Sequence, residues 1–265
     1  MPKIQPFTHA GRGDVSSHVI VTSLPEVYEL ALERLEAPLE REGYPGFKLA
    51  TGEVHGLRVT VAMRPVGPSA LAILLEELFR LGASVVVSVD TALAIAPRLE
   101  IGSVVLATAA IKGDGVSRNY IPVEVPAIAD FDLLRHVQQT LNIHNIEVRT
   151  SVAWSLDTYY VSEGLLDHAM RLYGKYASIL DMDTAALYTM AMARRMRSLS
   201  VNVVEASAVR GVERGSYLTQ EGEEVRKRVM ETFEKLMKPL IEAVALHMEK
   251  ERGRPRRMGQ GELTV

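Results

Sequence analysis

The sequence contains no cysteine. That absence excludes disulfides, thiolate metal sites and cysteine nucleophiles together, and it fits a cytoplasmic setting. No apolar run approaches the roughly 20 residues needed to cross a bilayer, so no membrane partner is expected. The amino-terminal stretch MPKIQPFTHAGRGDV lacks the apolar core that a signal peptide needs. Neither sign of charge dominates, with 30 lysines and arginines against 33 aspartates and glutamates and a formal net charge of −3. Nothing electrostatic therefore points to nucleic acid. The seven histidines show no paired ligand spacing, so neither metal nor cofactor is expected. No linker and no internal repeat divides the chain.

What is present is an ordinary globular balance, 47% hydrophobic and 24% charged over 265 residues, enough for a large core. Val19–Thr22 reads as a short strand, and a helix is expected from Pro25 to about Arg41, with the proline in its first turn. Leu57–Met63 alternates as a strand does, and Gly67-Pro68-Ser69 opens a helix over Ala70–Leu81 with Ser69 as N-cap. The uninterrupted apolar runs Ser84–Val89 and Gly102–Ala107 suit strands covered on both faces. Gly113–Pro126 is polar and turn-rich, a surface loop. Then come a helix over Asp132–Leu141, a strand over Glu147–Ala153, a helix over Leu165–Tyr173 and an extended Ile179-Leu180. A helix over Ala185–Arg197, a strand over Ser200–Ser207 and a helix over Glu221–Lys250 complete the chain. Strands alternating with helices predict a single-domain three-layer α/β/α sandwich with a mixed central sheet over residues 1–250. Residues 251–265 read as a basic, flexible tail.

Four groups of segments carry a family pattern. Gly67-Pro68-Ser69 with Leu75-Glu76-Glu77-Leu78 matches a glycine-rich turn and helix. Ser88–Thr91, Ala94–Pro97 and Ile101–Thr108 match the strand, turn and strand that follow. Pro122–Phe131 matches a loop. Asp157–Tyr160 and Asp181–Asp183 with Ala185–Met190 match base-binding and sugar-binding segments. In this order they resemble the nucleoside phosphorylase family, with its uridine and purine branches. The resemblance implies a phosphorylase-like fold and cleavage of a nucleoside's N-glycosidic bond, phosphorolysis being the family's default. It also implies a homo-oligomer, a hexamer built from dimers, whose sites lie at subunit edges.

Carried over position by position, the resemblance places Met182 against the ribose face and Asp183 on its hydroxyls. Glutamate is usual in the family at Asp183, and is common at Asp181. Asp183 could instead be the N-cap of the alanine-rich helix that follows, or serve both roles, and Asp181 is a candidate catalytic carboxylate. Thr91 would touch ribose and the anion, and His9 would reach a neighbour's ribose. Tyr159 would stack on the base, or pack on the core edge. Where the uridine branch reads uracil with glutamine and arginine, this chain has Glu163 and Leu165, so uracil recognition of that kind is not expected. The purine branch's acidic residue falls on Ser207. Arg210 is retained, either to orient a site carboxylate or as a structural ion pair.

The phosphate ligands depart furthest. The aligned positions hold Ser23, Val27, Ser88 and Asp90, leaving Thr91, and Arg64 stands where the family has glycine. Arg64 either holds an anion or is a surface charge. An added carboxylate with the guanidinium donors gone predicts weak phosphate binding. A phosphate-independent hydrolase and a non-catalytic nucleoside-binding protein are therefore the alternatives to phosphorolysis.

Overall fold

The computed structural model describes residues 3–252. Beyond Arg252 the expected basic tail lies outside the described residues. The elements are β1 (His18–Thr22), α1 (Pro25–Leu32), β2 (Glu36–Glu42), β3 (Lys48–Val54), β4 (Leu57–Met63), α2 (Pro68–Leu81), β5 (Val85–Ala94) and β6 (Val104–Gly113). They continue with β7 (Ala127–Ile128), α3 (Phe131–Ile143), β8 (Val148–Leu156), α4 (Glu163–Tyr173), β9 (Ile179–Asp181), α5 (Thr184–Ala193), β10 (Arg197–Ser207) and α6 (Glu223–Arg252). No helix among the described residues is long and apolar enough to cross a membrane.

The strands form one mixed sheet in the order β10-β6-β8-β9-β5-β1-β4-β3-β2, with β7 on β6. Because β10 also pairs with β5, the strands β5, β10, β6, β8 and β9 close into a ring. The strands β1, β4, β3 and β2 extend from β5 as an open arm. Helices cover both faces, as the alternation of strands and helices predicts. The two cores divide the residues of β5 by their period of two: Val85, Val87 and Val89 join Val27, Leu133, Val137, Phe233 and Leu240. Val86 joins Leu71, Leu74, Leu78, Leu187 and Tyr188 on the other face. Ser88 and Asp90 share the parity of Val86, polar residues on one face of a strand whose only other polar residue is Thr91.

Three local expectations fail for identifiable reasons. The helix expected to reach Arg41 stops at Leu32, and the chain returns as the edge strand β2, antiparallel to β3. Pro38 explains the change, since a helix-interior proline costs about 3 kcal/mol while an edge strand tolerates it. The register slips between Glu36 and Leu39, where Ala37 takes φ 45°. The helix expected to reach Arg197 ends at Ala193, turns through Arg195 at φ 54°, and Arg197 opens β10. Ser69 lies within the first turn of α2, whose N-cap is Gly67 at φ 108°, a conformation natural to glycine.

Candidate active site

The long strand β5 changes neighbours part-way along one edge. Its other edge runs beside β10 from Val85 to Ala94. On the first edge β1 accompanies it only as far as Ser88, and β9 begins only at Leu93. Between them, Val89–Ala92 border no strand on that side, and the ends of β1 and β9 part. Ligands of α/β sheets bind where neighbouring strands diverge in this way. A cleft of about 440 Å³ opens there, lined by Ser23, Ser88, Asp90, Thr91, Tyr159, Asp181, Met182, Asp183, Asn202, Arg214 and Tyr217 among others.

Its floor is a cluster of buried charge. Arg64 follows β4 and is 1% exposed, so it is no surface residue. Its Nη2 donates to Asp90 Oδ2 at 3.0 Å and to Asp183 Oδ2 at 2.8 Å, while Nη1 donates to the Pro65 carbonyl. Its Nη2 is thus shared by two carboxylates, Nε is buried without a partner, and no part of the guanidinium is exposed to an external anion. Asp90 accepts two further sets of bonds. Its Oδ1 takes the Ser23 backbone N–H at 2.8 Å and the Ser23 hydroxyl at 2.6 Å, and its Oδ2 takes the Ser88 hydroxyl at 3.1 Å. A carboxylate of the chain itself therefore receives the N–H, hydroxyl and cationic donors at this end of the cleft.

Asp183, beside Asp90, is differently served. It stands at the N-cap position of α5 but makes no side-chain capping bond, and its Oδ1 is buried without a hydrogen-bond partner. Burial lifts its carboxyl from 3.8 to about 6; Arg64 opposes the rise, and Asp90 and Asp181 add to it. Asp181 is the residue that caps the helix, accepting from the Thr184 backbone N–H and hydroxyl and from Ser155 Oγ. Burial pushes its carboxyl up as well, against those hydrogen bonds. Met182 and Thr91 line the same cleft.

At the far end Tyr159 donates to Glu205 Oε1 at 3.0 Å, and the Arg214 guanidinium lies 4.4 Å from the centre of the Tyr159 ring. A second cavity of about 440 Å³ begins beyond them, sharing Tyr159, Tyr160 and Arg214 with the first. Glu163 lines that second cavity, along with Leu93 and Ser207.

The cleft thus brings together Thr91, Tyr159, Asp181, Met182 and Asp183 of the residues singled out in the sequence, with Arg64 beneath them. Arg210 lies elsewhere, with Nη2 3.1 Å from Glu100 Oε1 in an exposed pair. His9 is exposed on the amino-terminal segment, which Glu77 anchors by accepting the backbone N–H groups of Phe7 and Thr8. Sequence reasoning passed over Asn202, Glu205, Arg214 and Tyr217. Glu205 had a signal: an acidic residue set between Val203-Val204 and Ala206 is buried only if partners meet it.

The family model described as the phosphorylase superfamily matches residues 17–242. The chain belongs to that family. Among relatives of this nucleoside phosphorylase family, the uridine phosphorylase of Thermococcus kodakarensis is 27% identical over 216 residues, 74% of this chain and 75% of that protein. The guanosine phosphorylase of Halorubrum lacusprofundi is 24% identical over 247 residues, 91% of this chain and 98% of that protein. In fold, the chain is similar to the purine nucleoside phosphorylase of Toxoplasma gondii solved with immucillin-H. The TM-score is 0.84 at 20% identity, covering 94% of this chain and 98% of that one. Within this phosphorylase family fold, the buried trio Asp90, Arg64 and Asp183 forms the floor of the cleft.

Proposed function

We propose that the chain cleaves the N-glycosidic bond of a ribonucleoside with water, rather than phosphate, as the ribosyl acceptor. The observation that carries this reading is the Asp90 carboxylate, which receives donors from Ser23, Ser88 and Arg64 where an anion would otherwise be held. A phosphate dianion arriving there would meet a like charge and donors already engaged. The nucleoside part rests on kinship with proteins named uridine phosphorylase and guanosine phosphorylase.

In this reading Met182 packs on the ribose and the unpaired Oδ1 of Asp183 accepts a ribose hydroxyl. Tyr159 faces the base. Three carboxylates, Asp90, Asp181 and Asp183, line the cleft. As the C1′–N bond lengthens, the sugar gains positive charge, and fixed carboxylates favour it more than they favour the neutral substrate. Water oxygen then bonds to C1′, the base departs with the electron pair of the broken bond, and the proton released by water ends on the base. Water needs no cationic cradle. Phosphorolysis is the second reading, favoured by the names of the relatives.

The test is to incubate the protein with uridine, inosine and guanosine, with and without phosphate, and to identify the sugar product. Free ribose at equal rates in both buffers is the expected result. Ribose 1-phosphate formed only with phosphate present would restore phosphorolysis, and saturable nucleoside binding without turnover would make the protein a binder. The variant Asp183→Ala should lose nucleoside affinity while remaining folded, and unaltered affinity would remove Asp183 from the sugar site.

A further inference from the structure

Asn202 is a polar side chain set between Val201 and Val203 in β10, and it is 1% exposed. A buried amide is costly unless its polar atoms find partners. Its Nδ2 donates to Ser200 Oγ at 2.9 Å. Ser200 is itself held in place, its Oγ accepting from Thr184 Oγ1 at 2.7 Å and its backbone N–H donating to the Tyr188 hydroxyl at 3.0 Å. These contacts tie the amide to α5 and fix its direction. The other amide atom, Oδ1, takes no hydrogen bond from any described residue. Unlike Asp183 Oδ1, it is not sealed in the interior without a partner, so it opens on the cleft that Asn202 lines.

The register of the sheet decides which end of the cleft this oxygen meets. Strands β5 and β10 run parallel, with Ser88 opposite Ser200 and Asp90 opposite Asn202. Such partners on adjacent strands lie about 4.8 Å apart. Asn202 therefore stands beside Asp90, at the end where an anion would otherwise be held. We infer that Asn202 selects the ribosyl acceptor, its Oδ1 taking a hydrogen bond from the attacking water and seating that water against C1′. This inference rests on the hydrolytic reading above and adds a specificity-determining residue to it. An amide oxygen accepts and does not donate, so it favours a nucleophile that carries hydrogen. A phosphate dianion brings only acceptors and would face Asn202 Oδ1 and the Asp90 carboxylate together. The bonds made and broken are those of the hydrolysis already described. Asn202 takes no proton in it; it orients the water oxygen toward C1′ and gains nothing from the substrate alone, so its contribution falls on kcat rather than KM.

The experiment is cleavage of uridine, inosine and guanosine in mixtures of water and methanol, with free ribose and methyl riboside measured separately. Methanol can make the same hydrogen bond, but its methyl group needs room beyond a seat fitted to water. The wild-type protein should therefore form less methyl riboside than the molar ratio of methanol to water predicts. In Asn202→Ala, which removes the oxygen and enlarges the seat, ribose release should fall about tenfold, the worth of one hydrogen bond, with KM unchanged. The ratio of methyl riboside to ribose should rise in the same variant. Asn202→Asp keeps an acceptor oxygen and should keep the wild-type ratio. A residue that merely supported the fold would change stability and leave this ratio where it was. Should Asn202→Ala fail to fold, Asn202→Ser, equally small, reads the same ratio. An unchanged ratio in the small variant, or a wild-type ratio equal to the molar one, overturns the assignment of Asn202 while leaving hydrolysis in place. Ribose 1-phosphate as the sole wild-type product, or no product at all, would overturn both.

Discussion

Replacing Asp183 by asparagine should stabilise the protein at neutral pH while weakening its ligand site. Asp183 Oδ2 shares one guanidinium nitrogen with Asp90, Oδ1 has no partner, and burial opposes its charge. Its carboxyl is raised from 3.8 to about 6, so the folded protein binds a proton there that the unfolded chain has released. The stability that this proton confers is complete below 3.8 and is lost as pH rises through about 6. A rise of about 2 pH units corresponds to about 3 kcal/mol. Asparagine resembles the protonated carboxyl and does not titrate. The variant should therefore be the more stable one, by up to about 3 kcal/mol near neutrality and by about half of that near pH 5. Urea denaturation of both proteins across this range measures the difference directly, with equal m-values guarding the comparison. The reasoning is refuted if Asp183→Asn is the less stable protein and its deficit grows with pH. That outcome would mean that Arg64 outweighs burial and that the native site prefers the ionised carboxylate. The same variant should bind nucleoside more weakly, a stability gain at the expense of the site.

Three other perturbations bear on the same architecture. Arg64→Met removes the cation shared by Asp90 and Asp183 and should cost about 3–5 kcal/mol in urea denaturation, as loss of one partner from a buried ion pair does; a loss below about 1 kcal/mol would deny the cluster its structural role. Asp90→Asn removes a like charge from the path of an anion and should raise phosphate affinity on the order of tenfold or more by calorimetry. Unchanged affinity would show that Asp90 is not what excludes phosphate. A homo-oligomer, a hexamer built from dimers, is expected to complete the site with His9 of a neighbouring subunit. The edge strand β2, exposed along its whole length, fits such burial. A monomer mass by light scattering at micromolar concentration would refute it.

Much of the fold was legible because the signals are local. The valine runs of β5 and β6, the alternation of β4 and the amphipathic spacing of α2 each reflect the period of a single element. The pair Met182-Asp183, which lines the cleft, was readable for the same reason, lying in one short segment with a family pattern. Pro38 was a local signal too, but the charged stretch around it fits an exposed helix as well as an edge strand, and only pairing with β3 decides between them. The charge network was not legible. Arg64, Asp90 and Asp183 are separated by 26 and 93 positions, and their meeting depends on where β4, β5 and α5 end in space. In the sequence Arg64 is one arginine after a strand, and its burial appears only when two carboxylates are brought to it. The same holds for Arg214, a loop residue that the fold buries against Tyr159 and Glu205. Short-range periodicity is dictated by backbone geometry, so the chain by itself determined most of its strands, most of its helices and its kinship. Charge pairing and desolvation act between residues that the fold makes neighbours, so the carboxylate of Asp90 could be read in the chain, but only the tertiary structure decided that Arg64 is buried between it and Asp183.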